Sequence, residues 1–249
     1  MARYRSALEM SSRVCCYAVS LIAACALAAC GGSSSSSNSQ GAAASVSTSN
    51  STSTTTTASA TSTTATAQAA GGQLGPEAIP LEAGAPLAPA STTAQGSGAT
   101  VDGIQCAPVE QLAYHIHSHL QVYVNGQPRA LPAAIGMLGP VSQQTAYGPF
   151  YGAEQCIYWL HTHASDGIIH IESPTKRIYT LGNFFDEWHQ PLSPTQVASV
   201  KGKVTAFLNG KAWKGDPRTI PLLPHASVQL DVGSPTVPAK TVSFAGTNL

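Results

Sequence analysis

The chain carries eight histidines in 249 residues, and all of them lie between His115 and His225. Six fall in two clusters. His115, His117 and His119 alternate with Ile116 and Ser118, and His161 and His163 are followed by Asp166, His170 and Glu172. Alternate residues of a β-strand point to the same side, so each His-x-His run presents its imidazoles on one face. If Ala164 to Gly167 form a hairpin loop, His161 lies opposite His170 and Trp159 opposite Glu172. His161, His163, His170 and Glu172 then share one side of that hairpin. Neutral imidazole is the commonest metal ligand. Three or four imidazoles converging from two ribbons suit Zn(II) or Cu(II), with Fe(II) also accommodated. Glu172 fits three roles: ligand, hydrogen-bond partner of a histidine, or general base.

A single buried histidine is usually a core residue satisfied by hydrogen bonds. Five or six imidazoles crowded on one apolar face are different, because they are costly when charged and hard to satisfy when neutral. The expected metal set is therefore His115, His117, His119, His161, His163 and His170. If the protein is an enzyme, Glu172 and Asp166 are the candidates for moving protons, although Asp166 precedes a turn glycine, where Asp is common for backbone reasons. His189 reads as a surface residue, and His225, after Pro224, as a turn residue. Familiar catalytic motifs are missing. There is no His-Glu-x-x-His helix and no Gly-x-Ser-x-Gly elbow. His161-Thr-His163-Ala-Ser-Asp166 approaches the metallo-β-lactamase motif, but its Asp comes one residue late. A cupin glutamate would fall at Gly167 or Ile168, and a cupredoxin would need a Cys near the C-terminal end.

Strands and hairpins must position these side chains. Leu120 to Val124 alternates and is followed by Asn125-Gly126, and Val204 to Leu208 by Asn209-Gly210, both strong hairpin signals. Residues 157–163 and 168–172 read as paired strands, 143–154 as a Gly/Pro/Tyr loop, and 176–180, 219–222 and 227–232 as further strands. Thr180 is placed to cap a helix over 181–189 with Phe184, Phe185 and Trp188 buried. Ser193-Pro194-Thr195-Gln196 has the form of a capping box, predicting a second short helix to about Val200. The expected fold is mostly β (α+β): a small antiparallel sandwich or barrel-like domain over 101–249 with one or two short helices.

Residues 1–29 read as an export signal, with Arg3, Arg5 and Arg13 before an apolar run from Val14 to Ala29 that is short for a membrane span. Leu27-Ala-Ala-Cys30-Gly31 resembles a bacterial lipobox, and Ile22-Ala-Ala-Cys25 is a weaker second candidate. The resemblance implies cleavage before Cys30, its lipidation, and anchoring in the cell envelope, by family resemblance at the outer membrane. From 30 to 100 the chain is Ser, Thr, Ala, Gly and Pro with no aromatic residue and only Glu77 and Glu82 charged. That composition predicts a disordered tether, with Leu74 to Pro89 as a stretch that could lie against the domain. Cys106 and Cys156 are left in the body of the protein, each flanking one histidine cluster. A disulfide suits an exported chain, and soft metal ligation is the alternative. Net charge is +0 with 10% charged residues, which leaves no electrostatic case for nucleic acid.

Four phrases carry a resemblance: Tyr114-His-Ile-His-Ser-His-Leu120, Val124-Asn-Gly126, Tyr158-Trp-Leu-His-Thr-His163 with Gly167-Ile-Ile-His-Ile-Glu-Ser-Pro174, and Thr180-Leu-Gly-Asn-Phe-Phe-Asp-Glu-Trp188. Across roughly 112–232 the chain resembles a family of exported bacterial and archaeal proteins with no firmly assigned activity. His189 stands where that family has glycine. The expected function is an envelope-anchored lipoprotein with a histidine-rich copper or zinc site. A metalloenzyme of hydrolase or oxygenase type is the alternative, and a metal-free interaction module a further one.

Overall fold

In the computed structural model, residues 72–90 and 97–249 are described, all within one unit, Thr64–Leu249. The export signal 1–29, Cys30 and the tether before residue 72 lie outside the described residues.

The elements run in chain order. β1 (Cys106–Ala107) precedes the long β2 (Tyr114–Val124) and β3 (Gln127–Arg129). β4 (Met137–Thr145) and β5 (Gly148–Tyr158) form a ribbon. β6 (Leu160–His161) and β7 (Ile168–Ser173) follow, then β8 (Tyr179–Thr180) and the helix α1 (Leu181–Glu187). β9 (Leu192–Ser193), β10 (Gln196–Val197) and β11 (Val200–Lys201) make a small sheet. β12 (Val204–Leu208), β13 (Lys211–Trp213), β14 (Pro221–Leu222) and β15 (Ala226–Val232) are the last strands, followed by a C-terminal segment to Leu249.

The main sheet has the order β13-β12-β15-β2-β7-β6, with β3 sharing an edge of β2 with β7. Its pairs are antiparallel except β15 with β2. The mostly β fold expected from the turn signals is what the structure shows, with one short α-helix among the described residues. Both Asn-Gly turns have positive φ at both residues, 49° and 77° at Asn125-Gly126 and 51° and 75° at Asn209-Gly210, as a two-residue hairpin loop of matching twist requires.

The period-two pattern divides the sheet into an apolar and a polar face. Leu120, Val122 and Val124 of β2, Ile169 and Ile171 of β7, Leu160, and Val228, Leu230 and Val232 of β15 face one core with Phe184, Phe185 and Trp188. Thr180 caps α1: its side chain accepts from Asn183 N, and the Asn183 side chain accepts from Thr180 N. The helix stops at Trp188, and His189 adopts φ 55°, a left-handed conformation that explains why glycine suits that position.

Three expectations are corrected. Residues 143–154 are not a loop but the outer half of the β4–β5 ribbon. Its residues are largely exposed or half-buried, so no alternating apolar pattern marks it. The second helix is absent, replaced by β9, β10 and β11. Ser193 Oγ takes the Thr195 N–H in a local turn, and Ala198 has φ 49°, which ends any right-handed helix there. The strand expected over 157–163 is broken at Trp159, and Thr162 bonds instead to the 134–135 segment.

Residues 72–90 lie on the domain. Leu87 N donates to Ala130 O at 2.9 Å and Ala130 N to Ala85 O at 3.1 Å. Ile79 is fully buried, and the Glu82 carboxylate accepts from Leu131 N. Cys106 and Cys156 are joined in a disulfide that ties β1 to the base of the ribbon. The bond fits an oxidising compartment outside the cytoplasm and removes both thiolates from consideration as metal ligands.

Candidate metal centre

Three adjacent strands carry the site. His161 of β6 pairs with His170 of β7, which pairs with His117 of β2, so three imidazoles form one rung across the sheet. On the next rung His115 lies opposite Glu172. His163 follows β6 and is held from the ribbon: Tyr151 N donates to His163 O, and the Phe150 ring stacks on the imidazole at 4.3 Å.

These residues make two overlapping groups, His115-His117-His170-Glu172 and His161-His163-His170-Glu172. Within each, one ligand atom per residue lies within 4.8 Å of every other. His119 joins neither. It is buried on the same face, farther along β2, and its ring is hydrogen-bonded to the backbone of Asp166. Gly167, at φ 80°, is pressed against it: a Cβ there would stand 2.6 Å from His119 Nε2 and 2.6 Å from Leu120 O. No side chain fits that turn.

The hydrogen bonds fix tautomers. His161 Nδ1 donates to Tyr158 O at 2.8 Å and His163 Nδ1 to Tyr151 O at 2.5 Å. Both Nε2 atoms are then bare acceptors, yet they stand 3.0 Å apart. Two lone pairs cannot hydrogen-bond to each other. Two ligands at ~2.0–2.1 Å from one ion, at roughly 90–110°, are separated by about 2.9–3.4 Å. The Glu172 carboxylate is also poised: Oε2 is buried without a hydrogen-bond partner, 3.8 Å from His161 Nε2.

Electrostatics keep most of these rings neutral. Burial, with the neighbouring imidazoles, pushes His161 well below its ordinary value, His163 to about 4 and His117 to about 3. Burial also takes His119 to about 4. His170 goes the other way. Burial opposes its charge, but hydrogen bonds to Glu172 and Glu77 outweigh that and raise it to about 9. Its Nε2 lies 2.6 Å from Glu77 Oε1 and its Nδ1 3.2 Å from Glu172 Oε1. In the metal-free chain His170 is thus an imidazolium clamped between two carboxylates. Burial and the Glu77 charge push Asp166 up, so it keeps its proton beside Glu77. Asp166 Oδ1 accepts from Ile168 N, as its turn position suggests.

Sequence reasoning missed Glu77, Glu110 and the ribbon. Glu77 belongs to a stretch that reads as tether, and its only signal is that Glu77 and Glu82 are the sole charges there. Both are buried by the domain. A cleft of about 390 Å³ opens onto the site, lined by Glu77, Glu110, His115, His117, Phe150 and His163 among others. His189 and His225 are exposed; His225 stacks on Phe244 and its backbone N–H donates to His117 O, but its ring belongs to neither group. Met137, in a small apolar cluster, supplies no thioether.

The fold and site define a mostly β protein with a buried His/Glu cluster that could hold a metal ion. Compared with protein-family models, curated proteins and solved structures, the chain matches none.

Proposed function

We propose that this is a metal-binding protein of the cell envelope, anchored through a lipid on Cys30, whose histidine site takes Cu(II) or Zn(II). The observation that carries this is the pair of Nε2 atoms of His161 and His163, 3.0 Å apart while both Nδ1 atoms donate to backbone carbonyls. A bound cation turns that repulsion into ligation. The donors are imidazole and carboxylate without thiolate or thioether, which favours Cu(II) or Zn(II) over Cu(I) and still admits Fe(II). The resemblance to exported proteins, the lipobox-like Leu27 to Gly31 and the disulfide all support the envelope assignment. The test is elemental analysis of the purified chain after stripping and exchange against Zn(II) or Cu(II). Retention of at least one ion per chain at neutral pH is expected; no retained ion overturns the reading. Cys30→Ala, expected to release the protein from membranes, tests the anchor.

The cleft favours metalloenzyme chemistry as a second reading. It leaves the ions a side open to solvent and small ligands, next to Glu110 and Phe150. There Glu172 or Asp166 would move protons, Asp166 through Glu77 and His170. Azide added to the Co(II)-substituted chain should shift its visible spectrum if a coordination position is open. An unchanged spectrum argues for a closed storage or transfer site.

A further inference from the structure

The two groups of ligands share His170 and Glu172 but have separate His-x-His pairs. His161 and His163 are buried, with side chains 0% and 3% exposed. The His115 side chain is 40% exposed at the cleft. The separation within the outer pair repeats that of the inner: His115 Nε2 is 2.9 Å from His117 Nε2. Glu172 stands between them. Its Oε1 is 3.1 Å from His115 Nε2, and its Oε2 faces His161 Nε2 at 3.8 Å. A carboxylate that turns one oxygen to each of two imidazole pairs has the form of a bridge between two cations.

We propose that the centre takes two divalent transition-metal ions bridged by Glu172: an inner ion on His161 and His163, and an outer, exchangeable ion on His115 and His117. The inference rests on the metal-binding reading above and extends it from one ion to two. A carboxylate bridge of this kind sets ions ~3.5–4 Å apart, the spacing at which two cations can act on one small ligand. The buried, unpartnered Glu172 Oε2 is the independent mark of the bridge. An ion on the inner pair gives that oxygen a partner, while Oε1 remains for the outer ion. His170 positions the bridge through its Nδ1 contact with Glu172 Oε1, and Glu77 steadies His170 from the far side.

The two positions differ in how firmly they need an ion. At the inner pair both tautomers are fixed by carbonyls, so nothing but a cation or an extra proton relieves the facing lone pairs. At the outer pair one ring can donate to the other or to Glu172, and solvent reaches His115. The outer ion is therefore bound more weakly and released first. The cleft delivers ligands to that ion, and Glu110, Oε1 of which lies 3.7 Å from His163 Nε2, adds negative charge at its mouth.

The test uses the full chain, stripped of metal and titrated with Cu(II), beside a His115→Ala/His117→Ala variant. The wild-type chain should bind two copper ions, with a spin-resonance signal smaller than its copper content because ions sharing Glu172 couple. The variant should bind one, with a full signal of isolated Cu(II). One ion in the wild-type chain overturns the bridged pair and leaves the single metal site standing. No ion overturns both. Two ions in the variant, or two uncoupled ions in the wild-type chain, place the second ion elsewhere and also overturn the proposal.

Discussion

The polar face of the main sheet has two halves that solve the same problem differently. On β15, Ser227, Gln229 and Asp231 are buried, and the chain's own C-terminal segment satisfies them. Asp231 Oδ2 accepts from Val237 N at 2.8 Å, Gln229 Oε1 from Lys240 N at 2.9 Å, and Ser227 Oγ from Val242 N at 3.0 Å. Tyr123 adds a face to the Lys240 ammonium, 5.1 Å from the ring centroid. On β6 and β7 backbone reaches only the Nδ1 side of the rings, through Tyr158 O and Tyr151 O. His161 and His163 turn bare nitrogens to each other, and Glu172 Oε2 has no partner. A buried polar row needs partners, because an unsatisfied group costs ~1–3 kcal/mol. One half of the face takes peptide groups, and the other keeps bare donor atoms that could hold an ion. His119, bonded to the Asp166 backbone, belongs with the first half although its spacing groups it with the second.

The largest effect that separates the halves is on the metal. His161→Ala with His163→Ala should lower metal affinity by more than ~100-fold, as measured by competition with a chelator, since both fixed nitrogens are lost. Unchanged affinity would remove the distinction. Next is the disulfide. Cys106→Ser with Cys156→Ser should destabilise the chain by ~2–5 kcal/mol in denaturant unfolding. It should also weaken metal binding, because the freed ribbon carries the Tyr151 carbonyl that orients His163. On the other half, Asp231→Ala should cost ~1–3 kcal/mol of stability and leave metal content unchanged.

The last effect concerns pH in the metal-free chain. His170 holds its proton when folded up to about 9, against 6.5 when free. Its contribution to stability is fully present below 6.5 and disappears as pH rises through 9. Asp166 acts in the same direction, since the folded chain keeps a proton that the unfolded one has released. Thermal unfolding of the metal-free chain should therefore move down by roughly 3–10 °C between pH 6.5 and 9. A rise over that interval would mean that His170 is not clamped between Glu77 and Glu172.

How much of this was legible in the sequence depended on whether a feature is local. The Asn-Gly turns, the Thr180 cap and the rung of His161 with His170 follow from nearest neighbours and strand alternation. The β4–β5 ribbon was hidden because a mostly exposed two-stranded arm has no apolar period to read. Leu74 to Pro89 was legible as a stretch that could lie against the domain, but its contacts were hidden because they are isolated and long-range, such as Glu82 to Leu131 and Glu77 to His170, rather than a repeating pattern. The same limit applies to His119. Strand parity puts it on the correct face, but only the close approach of Gly167 and Asp166 shows that its ring has a partner. The parallel pairing of β15 with β2, which completes the polar face, joins segments more than a hundred residues apart and has no local signature.

The most direct test of the central claim is nitrogen NMR of the histidine rings, recorded on the metal-free chain and again with Zn(II). Protonated Nδ1 atoms at His161 and His163, with Nε2 resonances that move to metal-bound positions on adding Zn(II), are the expected result. Protons on either Nε2 in the metal-free chain at neutral pH, or spectra that Zn(II) leaves unchanged, would contradict it.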